Sequence, residues 1–221
     1  MAGLVPRHDL AWDCATGSGQ AAVGLAAHFA RVVATDASAA QVAHAVPHPR
    51  VEYRVAPSEA SGLAGGSADL VVVAQALHWF DVHAFYGEVR RVLAPGGALA
   101  VWTYGECTLD DAALQRVLRH YARETVGPWW PPQRQLVDTG CRTIPFPFRE
   151  IAAPAFALEQ EWTVAELAGY LRTWSATTRY VAAHGTDPVA DVEAELRAGW
   201  GDPGARRRVR WQLALRAGYA D

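Results

Sequence analysis

The residues most able to do chemistry form a glycine-rich turn, with one acid before it and another beyond it. The turn runs from Asp13 to Gln20 and reads DCATGSGQ, and Asp36 lies nineteen residues after Gly17. Glycine lets the backbone approach a ligand closely, and an acid at the end of the next strand can accept hydrogen bonds from ribose hydroxyls. The spacing therefore predicts a site for a nucleotide-type ligand.

Two ligand classes fit this turn. Residues 17–22 (GSGQAA) match the G-x-G-x-x-A form of the dinucleotide fingerprint, which favours NAD. Asp13 argues against NAD, because its charge at the end of the predicted first strand would repel a pyrophosphate. S-adenosylmethionine instead carries a sulfonium and an ammonium group, and an acid at this place would help to hold its cationic amino-acid moiety.

A second segment with candidate side chains is Gln75–Phe80 (QALHWF). It follows a continuous apolar run, at the predicted C-terminal end of a strand, where open α/β sheets bind ligands. His78 could orient a substrate carboxylate or accept a proton there, and a structural role explains this histidine equally well. Trp79 could form a pocket wall, and packing is again an equal alternative.

Alternating strand and helix patterns must position these residues. The helical spacing of apolar residues predicts helices at Gln20–Ala30, Ser38–Ala45 and Val82–Leu93. Short apolar runs predict strands at Leu10–Cys14, Val32–Thr35, Val51–Val55, Asp69–Ala74 and Ala98–Tyr104. Strands separated by helix-length segments predict an α/β fold with a doubly wound, Rossmann-like sheet.

After Tyr104 the pattern changes to longer helical segments. We expect one domain over residues 1–221, with a cofactor-binding core at about 9–104 and substrate-side helical insertions at about 105–150 and 163–205, after strands 5 and 6. The predicted elements are a helix at Asp110–Glu124, a strand at Phe156–Trp162, a helix from a capping box at Thr163 to about Trp174, a helix opening at Asp187-Pro188, and a last strand at Val209–Ala217.

Composition excludes several function classes. All 20 basic residues are arginine. The lack of lysine excludes P-loop NTPases, which need a lysine beside the phosphates, and enzymes that form a Schiff base on lysine. The net charge of −3 disfavours broad binding to nucleic acids. Three widely spaced cysteines and scattered histidines predict neither a disulfide framework nor a metal site. No apolar run approaches the ~20 residues of a membrane span and no signal peptide is visible, so we expect a cytoplasmic protein.

In combination, these motifs resemble class I S-adenosylmethionine-dependent methyltransferases of the methyltransferase type 11 group. Asp13-x-Ala15-x-Gly17-x-Gly19 is similar to the glycine motif of that family, and Asp36 to its ribose-binding acid. Residues 69–79 (DLVVVAQALHW) resemble the fourth-strand motif, and residues 91–97 (RVLAPGG) the turn before strand five. Downstream segments that include residues 129–132 (WWPP) and 200–202 (WGD) look like the subgroup related to trans-aconitate methyltransferases.

Position and side-chain chemistry predict roles for further residues. Catalysis would involve His78, and the substrate pocket would contain Trp79, Trp130 and Arg142, whose guanidinium suits a carboxylate. The family also implies a mostly parallel sheet whose last strand runs antiparallel between the fifth strand and Phe156–Trp162. The cofactor, S-adenosylmethionine, would be bound by Asp13, Ala15, Gly17, Gly19, Gln20, Asp36, Ser58 and Gln75.

Three departures from the family pattern stand out. Ala15 occupies the position of the usual first glycine, and Pro57 that of a common acid beside the adenine. Only nine residues precede the first predicted strand, where the family usually has a helical segment that closes over its ligands. The short N-terminus leaves a catalytically idle cofactor-binding or partner protein as an alternative, and the dinucleotide fingerprint leaves an NAD-dependent oxidoreductase.

The expected reaction is methyl transfer from S-adenosylmethionine to an oxygen of a small acceptor such as a carboxylate. A carboxylate has a pKa of ~4 and is ionised at neutral pH, so it needs no general base. Catalysis would then consist of alignment and desolvation in a closed pocket. The chain lacks the [DN]-P-P-[YF] tetrad and the Pro-Cys pair of nucleic-acid methyltransferases, which disfavours a nucleic-acid acceptor.

Overall fold

A computed structural model describes residues 2–220, which form two compact units. The first unit contains residues 2–103, 139–155 and 214–220, and the second contains residues 104–138 and 156–213. The strands are β1 (Leu10–Cys14), β2 (Arg31–Asp36), β3 (Val51–Val55), β4 (Ala68–Ala74), β5 (Leu93–Tyr104), β6 (Thr108–Leu109), β7 (Arg149–Ile151), β8 (Phe156–Trp162) and β9 (Arg207–Tyr219).

The helices alternate with strands in the first half of the chain and follow one another in the second half. They are α1 (Gln20–Leu25), α2 (Ala39–Ala43), α3 (Val82–Val92), α4 (Ala112–His120), α5 (Arg134–Asp138), α6 (Val164–Arg172), α7 (Ser175–His184) and α8 (Val189–Trp200). Among the described residues, no helix is long and apolar enough to cross a membrane.

The first unit is built on a parallel sheet with the strand order β3-β2-β1-β4-β5. The C-terminal part of β9 follows β5 in this order, and β7 pairs with it antiparallel, Arg149 opposite Tyr219. Buried residues of β1 and β4 alternate between the two faces of the sheet, as the period of two requires. Ala11 and Leu70 join one apolar cluster, and Trp12 contacts Phe85 of α3 at a ring distance of 6.2 Å.

The second unit has its own core, formed mainly by helices and by aromatic side chains. The N-terminal part of β9 pairs antiparallel with β8, from Phe156 opposite Leu213 to Trp162 opposite Arg207. The side chains of Tyr121, Trp200 and Trp211 are almost completely buried in this core. The predicted fold class, a doubly wound and mostly parallel sheet that ends in an antiparallel last strand, is confirmed.

Local signals in the sequence explain where several elements begin. Asp81 caps α3 by accepting hydrogen bonds from the amides of His83 and Ala84, both at 3.1 Å. The predicted capping box of α6 is present, with Thr163 and Glu166 satisfying each other's backbone amides. These caps define helix starts because they satisfy amides that lack partners inside the helix.

Some predicted boundaries were wrong. The first helix ends at Leu25 rather than Ala30, because the chain turns there and the Ala30 amide pairs with the His8 carbonyl at 2.8 Å. α4 ends at His120 and continues as a π turn to Thr125. β5 starts at Leu93 instead of Ala98, with a shift in register against β4.

Two further boundaries in the second unit differ from the sequence analysis. The helix predicted to open at Asp187-Pro188 begins slightly later, since α8 starts at Val189 and Pro188 is its capping residue. Asp187 nevertheless accepts the Val189 amide at 2.9 Å, so its role at the helix start is kept. α7 was not predicted as a separate helix, because its buried residues, Ala176 and Thr177, are too small to give a clear apolar period.

Candidate functional site

A cavity of about 720 Å³ lies in the first unit, at the carboxyl ends of its parallel strands. This volume is within the ~300–1,000 Å³ that is usual for small-molecule sites, and the position is where open α/β sheets bind ligands. The lining residues follow β1, β2, β3 and β4, and they are Ala15, Gly17, Asp36, Ala37, Ser38, Gln41, Ala56, Pro57, Ser58, Glu59, Ala74, Gln75, Ala76, Trp79, Phe80 and Asp81.

The glycine-rich turn reaches its shape through three residues with positive φ. Ala15, Gly17 and Gly19 have φ values of 54°, 57° and 91°. A side chain on Gly19 would overlap the ring of Tyr53, so only glycine fits there without a shift of that ring. A Cβ on Gly17 would meet only Gln41 Oε1, at 4.0 Å, so the backbone of Gly17 is uncrowded at the cavity wall. Ala15 adopts a conformation that glycine adopts at lower cost.

Asp36 links the turn to the end of β2. Its Oδ2 accepts the amide of Gly17 at 2.9 Å, and its Oδ1 accepts the amide of Ser38 at 2.8 Å. A carboxylate has about four acceptor positions, so each oxygen keeps the capacity for a further hydrogen bond. The half-buried Asp36 lines the cavity, and the two amides hold its carboxylate in place at the cavity wall.

Asp13 is the next-to-last residue of β1 and is completely buried. Its Oδ2 accepts the Thr16 hydroxyl at 2.5 Å, while its Oδ1 has no hydrogen-bond partner among the described residues. Burial raises the pKa of Asp13 to about 7; the hydrogen bond from Thr16 opposes this shift, and the charge of Asp36 adds to it. A buried carboxyl oxygen without a donor fits a cationic or hydrogen-bond-donating ligand group.

The structure places five of the predicted cofactor residues around one cavity: Ala15, Gly17, Asp36, Ser58 and Gln75. The other three, Asp13, Gly19 and Gln20, belong to the same turn but not to the lining. Gly19 caps α1, and Gln20 is the exposed first residue of that helix.

The residues predicted for catalysis and for the substrate pocket are distributed differently. Trp79 lines the cavity and is 57% exposed. His78, half-buried in the turn Leu77–Trp79, lies 4.8 Å from the Trp79 ring and is not a lining residue. Arg142 is exposed in the first unit, outside the lining, and Trp130 belongs to the second unit.

Sequence reasoning gave several lining residues no individual role. Glu59 follows β3, and Phe80 and Asp81 follow β4. The same rule that identified Gln75, the position after a parallel strand, could have identified them. The positive φ of Gln75, 55°, had no sequence signal, because tertiary contacts impose it.

Charge distinguishes the ligands that this cavity can take. Its lining contains three carboxylates, those of Asp36, Glu59 and Asp81, and the described lining residues include no arginine or histidine. Such a site attracts cations and repels the pyrophosphate of NAD. Among residues 2–220, no group of three or more potential metal-ligating side chains comes together. The residues present therefore fit a cationic adenosyl ligand.

Comparisons with known proteins agree with this geometry. Residues 12–101 match the methyltransferase domain family. A Dictyostelium discoideum protein assigned as a methyltransferase is 33% identical over 193 residues, which cover 86% of this chain and 73% of that protein. A solved structure from Anaeromyxobacter dehalogenans, assigned as a type II methyltransferase, is 44% identical with a TM-score of 0.93, and the match covers 99% of this chain and 92% of that one.

A more distant structure shares the fold alone. The YcgJ protein from Bacillus subtilis is 14% identical over the whole of this chain and 97% of its own, with a TM-score of 0.54. The family match also resolves the choice between NAD and a sulfonium cofactor that the glycine turn left open. This chain belongs to the class I S-adenosylmethionine-dependent methyltransferases, and S-adenosylmethionine is its cofactor.

Proposed function

We propose that the protein methylates an oxygen of a small-molecule acceptor, and that the acceptor is a carboxylate. The observation that carries this proposal is that the described lining residues include no histidine and that each of the three lining carboxylates already accepts a hydrogen bond. Asp36 accepts two backbone amides, Glu59 accepts the Ser58 hydroxyl at 3.0 Å, and Asp81 caps α3. An acceptor that is already ionised at neutral pH needs no proton removal.

The cofactor would be held by residues from three strand ends. Asp36 would accept the ribose hydroxyls, and the free Oδ1 of Asp13 would attract the cationic amino-acid end. Gly17 would let the backbone approach, and Ser58 and Gln75 would contact the ligand from the ends of β3 and β4. When bound, S-adenosylmethionine supplies an electrophilic methyl group on a sulfonium.

The contribution of the protein would then be alignment and exclusion of water. We assign Trp79 to the wall beside the acceptor, and His78 to orienting the acceptor as a positioning residue. The sequence resemblance to the trans-aconitate methyltransferase subgroup supports an acid as acceptor. The net charge of −3 supports a small molecule over a nucleic acid. The three free, buried cysteines support a cytoplasmic location.

The test has two steps. Isothermal titration with S-adenosylhomocysteine and, separately, with NAD should give binding of the first only, and Asp36→Ala should lose that binding. A panel of small carboxylic acids, matched alcohols and matched amines is then assayed for methyl transfer with labelled cofactor. Methyl esters from the acids support the proposal. Transfer to alcohols or amines alone, or binding without transfer to any acid, contradicts it.

A further inference from the structure

The second unit contains a shallow groove of about 490 Å³ that shares no lining residue with the cavity of the first unit. It lies between the loop that carries Trp129 and Trp130 and one face of α7. Its lining residues are Pro128, Trp129, Trp130, Arg179, Ala182 and Ala183. The groove thus combines two indole rings, small side chains and one guanidinium group.

Contacts behind the groove hold the two indole rings in place. The Trp130 indole N–H donates to the carbonyl of Ala122 at 3.2 Å, and the Arg134 guanidinium lies 4.1 Å from the Trp130 ring. Trp129 packs edge-on against Tyr180 at 5.9 Å and against His184 at 5.1 Å. Walls that are already ordered lose little entropy when a ligand binds.

The face of α7 supplies space and charge. Arg179, Ala182 and Ala183 share one side of the helix, because they are three and four residues apart. The two alanine methyl groups leave room above the helix. Arg179 is exposed and makes no ion pair with any described residue. Arg172, which precedes α7, by contrast pairs with Asp187 at 2.8 Å and with Glu193 at 3.0 Å.

We propose that this groove binds a small aromatic carboxylic acid. The carboxylate pairs with the guanidinium of Arg179, whose planar donors match the two carboxylate oxygens. The aromatic body lies against Trp129 and Trp130 and over the two alanines. Charge complementarity selects this occupant, because Arg179 is the one ionised side chain among the lining residues and lacks a described counter-ion.

The experiment titrates the full chain with benzoate and phenylacetate and follows the heat of binding. Benzamide is the neutral match for benzoate. Arg179→Gln should weaken benzoate binding by about tenfold or more, because the variant loses a charged hydrogen-bonded pair. Benzamide should bind to the wild type about as weakly as benzoate binds to Arg179→Gln. Arg123→Gln is the control, since Arg123 is exposed in the same unit but does not line the groove.

A second variant tests the shape of the groove independently of charge. Ala183→Leu should fill the groove and abolish benzoate binding, while the thermal unfolding temperature stays near that of the wild type because position 183 is exposed. Equal binding of benzoate by wild type, Arg179→Gln and Ala183→Leu overturns the proposal. Binding of benzamide as tight as that of benzoate also overturns it, and so does the failure of both acids to bind at millimolar concentration.

The groove and the proposed acceptor class can fail separately. If the acids bind as described but are not methylated, the groove assignment stands and the carboxylate acceptor is wrong. If acids are methylated but Arg179→Gln binds benzoate as tightly as the wild type does, the groove assignment is wrong and the acceptor proposal stands. Asp36→Ala should leave benzoate binding unchanged, because Asp36 belongs to the other unit.

Discussion

At the scale of single residues, Asp13 is completely buried, and it is the residue that we assign to the cationic end of the cofactor. Its Oδ1 has no described partner, and burial keeps its pKa at about 7. A bound ammonium group would favour the ionised carboxylate, so cofactor binding must displace a proton when the pH is below 7. The burial that would make Asp13 attract a cation also makes the stability of the cofactor-free protein depend on pH.

The first prediction concerns affinity. Cofactor binding should tighten about fivefold between pH 6 and pH 7, because the ionised fraction of a group with a pKa near 7 rises by that factor. Asp13→Asn should bind more weakly and lose this pH dependence. Calorimetric titration with S-adenosylhomocysteine at both pH values checks this. A wild-type affinity that is constant with pH would show that Asp13 does not interact with the cofactor.

The second prediction concerns stability without cofactor. The pKa of Asp13 is raised from 3.8 to about 7 on folding, so between these pH values the native state binds a proton that the unfolded state has lost. Stability should therefore fall as pH rises through this window, by on the order of 4 kcal/mol. Asp13→Asn should gain stability relative to the wild type from pH 5 to pH 8 in urea denaturation. Asp191→Asn, a change at an exposed position, serves as the control. The difference in stability between this variant and the wild type should not show the same dependence on pH.

The third prediction concerns Ala15, which has a φ of 54°. Ala15→Gly should stabilise the protein by up to about 1 kcal/mol, because glycine has no steric penalty at positive φ and only part of this gain is lost to the entropy of its unfolded chain. Ala40→Gly, in the exposed part of α2, should destabilise by about 1 kcal/mol. Denaturant unfolding of both variants decides the sign. If Ala15→Gly destabilises the protein, the backbone of Ala15 is not strained as we infer.

At the scale of elements, α3 holds the loop that follows β3 against the cavity. Glu88 of α3 accepts the amide of Ser61 at 2.8 Å and its hydroxyl at 2.5 Å. Arg91 donates to Glu88 at 2.6 Å and to the carbonyl of Leu63 at 2.8 Å. The loop also contains Ser58, so this network positions part of the cavity wall.

The fourth prediction tests this network. The hydrogen bonds from Arg91, with those from Ser61, lower the pKa of Glu88 to about 2, so its contribution to stability is present above pH 4.5 and is lost as pH falls towards 2. Glu88→Gln should cost about 2 kcal/mol at pH 7 and weaken cofactor binding. Glu52→Gln, which removes the exposed pairs with Arg31 and Arg54, should cost less than about 1 kcal/mol. Equal costs for the two variants at pH 7 would contradict the assignment.

At the scale of the whole molecule, the chain has two compact units, and each has its own buried core. The described residues that line the cavity to which we assign the cofactor all belong to the first unit. A ligand stabilises the part of a protein whose opening would release it. The two units should therefore respond differently to the cofactor.

The fifth prediction is made at this scale. Saturation with S-adenosylhomocysteine should slow amide exchange in β1, β2 and β4 far more than in α6 and α8. At a hundred times the dissociation constant, the stabilisation should reach about 2.7 kcal/mol. Hydrogen–deuterium exchange read by mass spectrometry, with and without ligand, measures both units at once. Asp36→Ala is the control, since it should show no change on addition of ligand.

The sequence by itself determined the features that depend on neighbouring residues. The bounds of β1, β3 and β8 were predicted correctly, because each is a short run with strand composition. The capping box at Thr163 was readable because its partners are three residues apart. The glycine turn and Asp36 were recognisable because consecutive strands of a parallel sheet place their ends side by side.

Only the tertiary structure decided how distant residues meet. The burial of Asp13, which raises its pKa, depends on the strands packed around β1. Glu88 meets Ser61 across 27 residues of sequence, and Arg179 lines one groove with Trp130, which lies 49 positions earlier in the chain. Such contacts have no local pattern in the sequence, because they result from the packing of whole elements, and packing is decided by shape and burial over the folded chain.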